Sequence, residues 1–273
     1  MDFWRKLTTR RRLDLLCADV VAWNESRATR DGAGMAFQNS QLQQARLPWA
    51  DLGELDFAGS DFSGADLRGA DLHFCNLVGS NFQDADLRGA SLQGAQLGQS
   101  NLTRANLQGA NLQRADLNQV NLRNANLSWA ILRETYCYYT DFSEAALTWA
   151  DLESANLSNA TFYRTLLSEA NFARANLSHT NFNLATLDTT NFDQAVMYDT
   201  ILAAIDLCGA LNLGAVVHNP PSQLSIGTDT LHTTRQSAGG QFTEEQVAFL
   251  TNSGVASEIL ASTGPVVSSG PVQ

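Results

Sequence analysis

The residues best suited to acid–base or metal chemistry are four histidines, His73, His179, His218 and His232. None stands at metal or triad spacing from a cysteine or a carboxylate. His73 and His179 fall at positions that read as solvated surface. One grouping remains: His218 with Asp229 and His232, in a loop-rich stretch. Two imidazoles and a carboxylate could bind a metal or drive a hydrolysis; the competing reading is a structural polar network. Cys17, Cys75, Cys137 and Cys208 are scattered, without C-x-x-C or Cys/His spacing. Cys75 and Cys137 fall where a small core hydrophobe is wanted. Abundant Asp and Asn resemble paired carboxylates, but they recur too regularly for one site and fit turn residues bonding to backbone. No glycine-rich phosphate loop occurs. We read no enzyme here, and no cofactor or metal.

What must position these residues is a five-residue repeat. From Leu42 to Leu207 every fifth residue is Leu or Phe at 32 of 34 positions, with Cys137 and Met197 the exceptions. The residue two before each centre is small, and the residue just before it is usually Asp or Asn. Ala65-Asp66-Leu67-Arg68-Gly69 is one such unit. Neither helix nor strand has a period of five. A second period, of 20, appears in Phe62, Phe82, Phe142, Phe162 and Phe182, and in Ser40, Ser60, Ser80 and Ser100. Phe172 and Phe192 form another column, and Phe57 stands outside both. Four units per coil give a square outline, with like residues stacked at strand spacing, about 4.8 Å. One unit buries too little to offset its backbone entropy, so stability grows with coil number.

The open ends of such a stack are sheet edges that need covering. Leu13, Leu16, Cys17, Val20 and Trp23 follow helical spacing, so one amphipathic helix, ending near Asp31-Gly32, lies over the first coil. Beyond Leu207 the register fails, and Pro220-Pro221 ends regular structure. Thr243 with Gln246 forms a capping box opening a short helix through Leu250. The predicted organisation is an N-terminal helical cap over 1–39, a solenoid over 40–209, a C-terminal capping segment over 210–261 and a disordered tail over 262–273.

Tandem A-[D/N]-L-x-x units are the signature that this chain shares with pentapeptide repeat proteins, which it resembles over about 60% of its length. The resemblance implies an all-β solenoid, a right-handed quadrilateral β-helix. Val20-Val-Ala-Trp-Asn-Glu-Ser-Arg27 is similar to a V-x-x-W-N-x-W-R helix before the repeats of bacterial members, with Ser26 in place of the second Trp. His218 to Ser222, Ile226 to Leu231 and Phe249 to Val255 resemble a post-repeat segment that joins some relatives to a TIR-type domain. The chain stops soon after that segment, so no such effector is expected.

The formal charge is −11, concentrated in the repeats. They should repel nucleic acid, so direct binding of nucleic acid by the repeats is not expected. No membrane span or signal peptide is legible, and a cytoplasmic protein is the default. Three surfaces compete as partner sites. Asp51, Asp56, Asp61, Asp66 and Asp71, joined by Asp84 and Asp86, form an acidic start. The resemblance makes this a candidate DNA mimic, since relatives that protect DNA gyrase are thought to copy duplex shape and charge. Interleaved Arg68, Arg88, Arg104, Arg114 and Arg123 weigh against that, as does the lack of a loop insertion. Trp129 and Trp149, 20 residues apart, should stack outward, with Tyr136, Tyr138 and Tyr139 on the opposite face. Exposed Trp and Tyr are favoured interface anchors. The basic head, Arg5, Lys6, Arg10, Arg11 and Arg12 beside Phe3 and Trp4, could touch an anionic surface. The reading is a non-catalytic protein-interaction scaffold using the aromatic zone, with possible self-association. The alternative is a DNA mimic binding gyrase or another DNA-handling enzyme.

Overall fold

A computed structural model of the chain describes residues 8–28, 35–218, 225–226, 228–238 and 241–255. Arg5, Lys6, Phe3, Trp4, Asp31-Gly32, Pro220-Pro221 and the 262–273 tail lie outside the described residues.

Parallel bridges join residue i to residue i+20, from Ala36–Asp56 to Asn191–Leu211. Four units therefore complete one coil. The unit from Asp61 to Ala65 shows why the repeat has its composition. Asp61 N donates to Ser40 O in the preceding coil at 2.9 Å. Phe62 N and Gly64 N donate to Asn81 O and Gln83 O in the next coil, at 2.7 and 2.8 Å. Ala65 N closes the turn on Phe62 O at 3.0 Å. Ser63 N has no coil to reach, and it donates to Asp61 Oδ1 at 3.0 Å. All five N–H groups are thus satisfied, the fifth here by the carboxylate just before the centre, which is why Asp or Asn is favoured at that position.

The centres are buried, and the small residues two before them lie against the same core. Phenylalanines form ladders at coil spacing: Phe62–Phe82 at 4.8 Å and Phe142–Phe162 at 4.7 Å, with near-parallel rings. Phe57 is not solitary. It stacks on Phe37 at 5.2 Å, because the first coil opens one unit before Ser40, at Met35. Where a hydroxyl replaces Ala it ties coils together, as in Thr165 Oγ1 donating to Phe142 O at 2.8 Å. Cys75 Sγ donates likewise to Leu52 O.

Two helices, not one, precede the coils: α1 (Thr9–Ala18) and α2 (Val20–Ala28). The chain breaks at Asp19, whose extended backbone ends α1 and whose Oδ1 accepts from Ala22 N at 3.0 Å, capping α2. The α2 side chains then take bonds that a preceding coil would otherwise take. Asn24 Oδ1 accepts from Asp51 N at 2.8 Å, Trp23 Nε1 donates to Asp51 O at 2.6 Å, and Arg27 donates to Gly53 O.

After the last full coil, β1 (Val196–Met197) pairs parallel with β3 (Val217–His218), and β2 (Ile201–Leu202) with β4 (Ser225–Ile226). A helix that the sequence reading lacked, α3 (Thr228–Ser237), follows, then α4 (Glu244–Asn252) with the expected Thr243–Gln246 capping box. Thr230 and Thr234, one turn apart on α3, accept from Ile205 N at 3.3 Å and Leu207 N at 2.9 Å. No helix among the described residues is long and apolar enough to cross a membrane.

Candidate protein-interaction surface

No group of His, Cys, Asp and Glu among the described residues is arranged to hold a metal. His218 is half-buried beside Phe249, with ring centroids 5.5 Å apart, and burial lowers its pKa. Asp229 and His232 lie on α3, not in a loop, and their side chains fall outside the described residues. His73 Nδ1 lies 2.7 Å from Asp71 Oδ1, and its Nε2 3.6 Å from Glu54. Burial pushes the thiols of Cys75 and Cys137 up to about 12, so neither supplies a thiolate.

With four units per coil, Asp51, Asp56, Asp61 and Asp66 sit on four successive sides, and Asp71 returns to the first. They form a collar around the rod, not a single face. Of the acidic series, Asp66 and the additional Asp84 and Asp86 are locally matched. Arg68 grips Asp66 and Arg88 grips Asp86, each through two nitrogens, and Arg104 grips Asp84 in the same way. These guanidinium bonds hold the three carboxyls below their usual range.

Trp129 and Trp149 stack outward with centroids 5.0 Å apart and planes 6° from parallel. They are 56% and 45% exposed. Tyr136, Tyr138 and Tyr139 are also exposed, but their unit lies two units from that of Trp129, on the opposite side of the rod. One flat partner cannot touch both groups. Around the tryptophans the repeat abandons its own rule, as it also does at Ile131 on the next side, which is 40% exposed. Ala146 and Leu166 occupy the bridge position just before the centre, where the side chain would normally satisfy its turn. Neither has a side-chain oxygen, and Leu166 is exposed. At Tyr136 the same departure is repaired, because Asn118 Oδ1 of the preceding coil accepts from Tyr138 N at 2.8 Å.

The sequence reading missed Trp49, which is 72% exposed, and Phe74. Trp49 precedes Trp129 by 80 residues, four coils, and so stands in the same column. The 20-residue period could have found it.

The sequence profile of pentapeptide repeats matches this chain in eight copies, over residues 36–73, 45–84, 65–104, 100–136, 140–172 and 165–202. No curated protein matches the chain in sequence. Among solved structures, it is similar to HetL, a pentapeptide repeat protein involved in heterocyst differentiation regulation in the cyanobacterium Nostoc sp. strain PCC 7120. That likeness has 30% identity, 74% of this chain and 97% of HetL covered, and a TM-score of 0.45. A second likeness is to QnrB1, a plasmid-mediated fluoroquinolone resistance protein, at 20% identity, 68% and 92% coverage and a TM-score of 0.49. A third is to a pentapeptide repeat protein of the Arabidopsis thaliana thylakoid lumen, at 31% identity, 38% and 66% coverage and a TM-score of 0.28. With its units matched from residue 36 to residue 202, the chain belongs to the pentapeptide repeat family.

Proposed function

We propose that this protein is a non-catalytic interaction scaffold whose contact surface is the side of the rod bearing Trp129 and Trp149. The observation that carries the reading is the exchange at Ala146 and Leu166. Here the array gives up two turn-satisfying side chains and exposes apolar surface beside two stacked tryptophans. A repeat that breaks its local rule at an exposed patch marks a place where surface matters more than stability. The helices at each end serve as caps, closing sheet edges that would otherwise template aggregation.

The DNA-mimic reading has less support, because its carboxylates ring the rod and several are neutralised by arginines. The two readings part in one experiment: capture of partners from the producing cells by the intact chain, by Trp129→Ala with Trp149→Ala, and by Asp56→Lys. The scaffold reading expects loss only with the tryptophan variant. Capture that survives that variant, and fails with Asp56→Lys or with competing duplex DNA, would refute it.

A further inference from the structure

On the tryptophan side, the second turn residue of each successive coil reads Trp49, Gly69, Gly89, Gly109, Trp129, Trp149. The Trp49 ring lies over Gly69, so closely that a Cβ there would fall 2.2 Å from ring carbons. Nothing lies within 4 Å of where a Cβ would stand on Gly89 or Gly109. The column therefore has an aromatic block at each end and two bare coils between. By strand spacing, the five steps from Trp49 to Trp149 span about 24 Å.

We propose that a second copy of this chain docks on this side, antiparallel, about a two-fold axis passing between Gly89 and Gly109. The proposal rests on the reading of this side as the contact surface and names its partner. A two-fold axis lying in the contact plane across the rod reverses coil order while keeping each column opposite itself. Trp49 of one copy then meets Trp129 and Trp149 of the other, and the bare glycine coils face each other across the space between the two aromatic contacts. Such self-complementarity is what an isologous interface requires, and clustered tryptophans supply the anchors.

Charge fits the same axis. Between Arg46 and Trp149 this side carries three arginines (Arg46, Arg68, Arg88) and two acids (Asp66, Asp86), a formal +1 in a chain of −11. The next side carries six acids against two arginines over the same coils. The rotation sets the Asp66–Arg68 pair opposite Asn126 and Ser128, and the Asp86–Arg88 pair opposite Asn106 and Gln108. No like charges face each other, so this is the side on which two acidic rods approach with least repulsion.

The test is sedimentation equilibrium of the purified full chain over a concentration series. The expected mass rises from 29.6 kDa to twice that value. Trp129→Ala with Trp149→Ala should weaken association by about thirtyfold or more, the scale of losing an interface anchor. Gly89→Arg with Gly109→Arg sets like charges against each other across the axis and should hold the chain monomeric. Gly89→Arg with Gly109→Glu sets opposite charges there and should restore the dimer. The fold accommodates such substitutions, since Arg104, Arg114, Arg164 and Arg174 hold the same turn position with φ of 53–59°. A chain monomeric throughout, or two glycine double variants that behave alike, overturns the proposal. If a monomeric chain still captures another protein through Trp129 and Trp149, the second-copy proposal falls and the surface reading stands. If the tryptophan variant changes neither mass nor capture, both fall.

Discussion

Asn24 Oδ1 accepts the backbone N–H of Asp51 at 2.8 Å, in the place a preceding coil would occupy. Trp23 Nε1 and Arg27 serve Asp51 O and Gly53 O beside it, so three side chains of one helix stand in for a missing strand. Asn24→Ala should cost about 1–3 kcal/mol, because it leaves a partly buried N–H unpaired. Urea denaturation measures the loss. Hydrogen exchange should place the fraying in the first coil, with the middle coils unchanged. Asn24→Asp keeps the acceptor oxygen for Asp51 N but loses the Nδ2 bond to Trp49 O at 2.8 Å, so it should recover only part of the loss.

The hydroxyls that tie coils together carry their own expectation. Thr165→Val removes the bond to Phe142 O while keeping the shape of the side chain. A loss of about 1 kcal/mol in urea stability is expected. Phe162→Ala, in the middle of a three-ring ladder with Phe142 and Phe182, should cost about 3–5 kcal/mol.

Thiol accessibility divides the four cysteines evenly. Cys75 and Cys137 are buried, with their thiols pushed up to about 12, whereas Cys17 and Cys208 are exposed. Burial and nearby carboxylates also push the Cys17 and Cys208 thiols up, so a disulfide reagent at mildly alkaline pH should modify these two first in the native chain and all four in denaturant. Prompt reaction of three or four would contradict this packing of the coils.

Burial beside Phe249 lowers the pKa of His218, so folding favours the neutral ring. A group depressed in the folded state contributes its full stability above its unfolded pKa, about 6.5. That contribution is lost as pH falls through the lower folded value. The C-terminal segment should loosen on acidification below about pH 6.5, as read by exchange of amides in α4. His218→Phe should remove that dependence.

The coils were legible because burial alternates on a fixed five-residue count, and each side chain's place around the rod follows from the 20-residue count. The capping box at Thr243 was legible for the same local reason, an oxygen three residues from its partner. Helix α3 was not. Its sequence from Thr228 to Ser237 is rich in threonine, a poor helix former, and it owes its place to Thr230 and Thr234 meeting the last coil. The break at Asp19 was hidden because the apolar spacing runs straight through it. The aspartate series looked like a face only until coil geometry distributed it around four sides. Trp49 went unnoticed because its nearest aromatic neighbour in the column is four coils away.

The most direct test of the contact surface compares two sides of one rod. The intact chain, Trp129→Ala with Trp149→Ala, and Tyr136→Ala with Tyr138→Ala and Tyr139→Ala would be used to capture partners from the producing cells, with urea stability measured for all three. The account predicts that the tryptophan variant loses its partner with stability within about 1 kcal/mol of the intact chain, as expected at an exposed site. It predicts that the tyrosine variant keeps that partner. Retention by the tryptophan variant and loss by the tyrosine variant would place the contact on the opposite side and contradict the account.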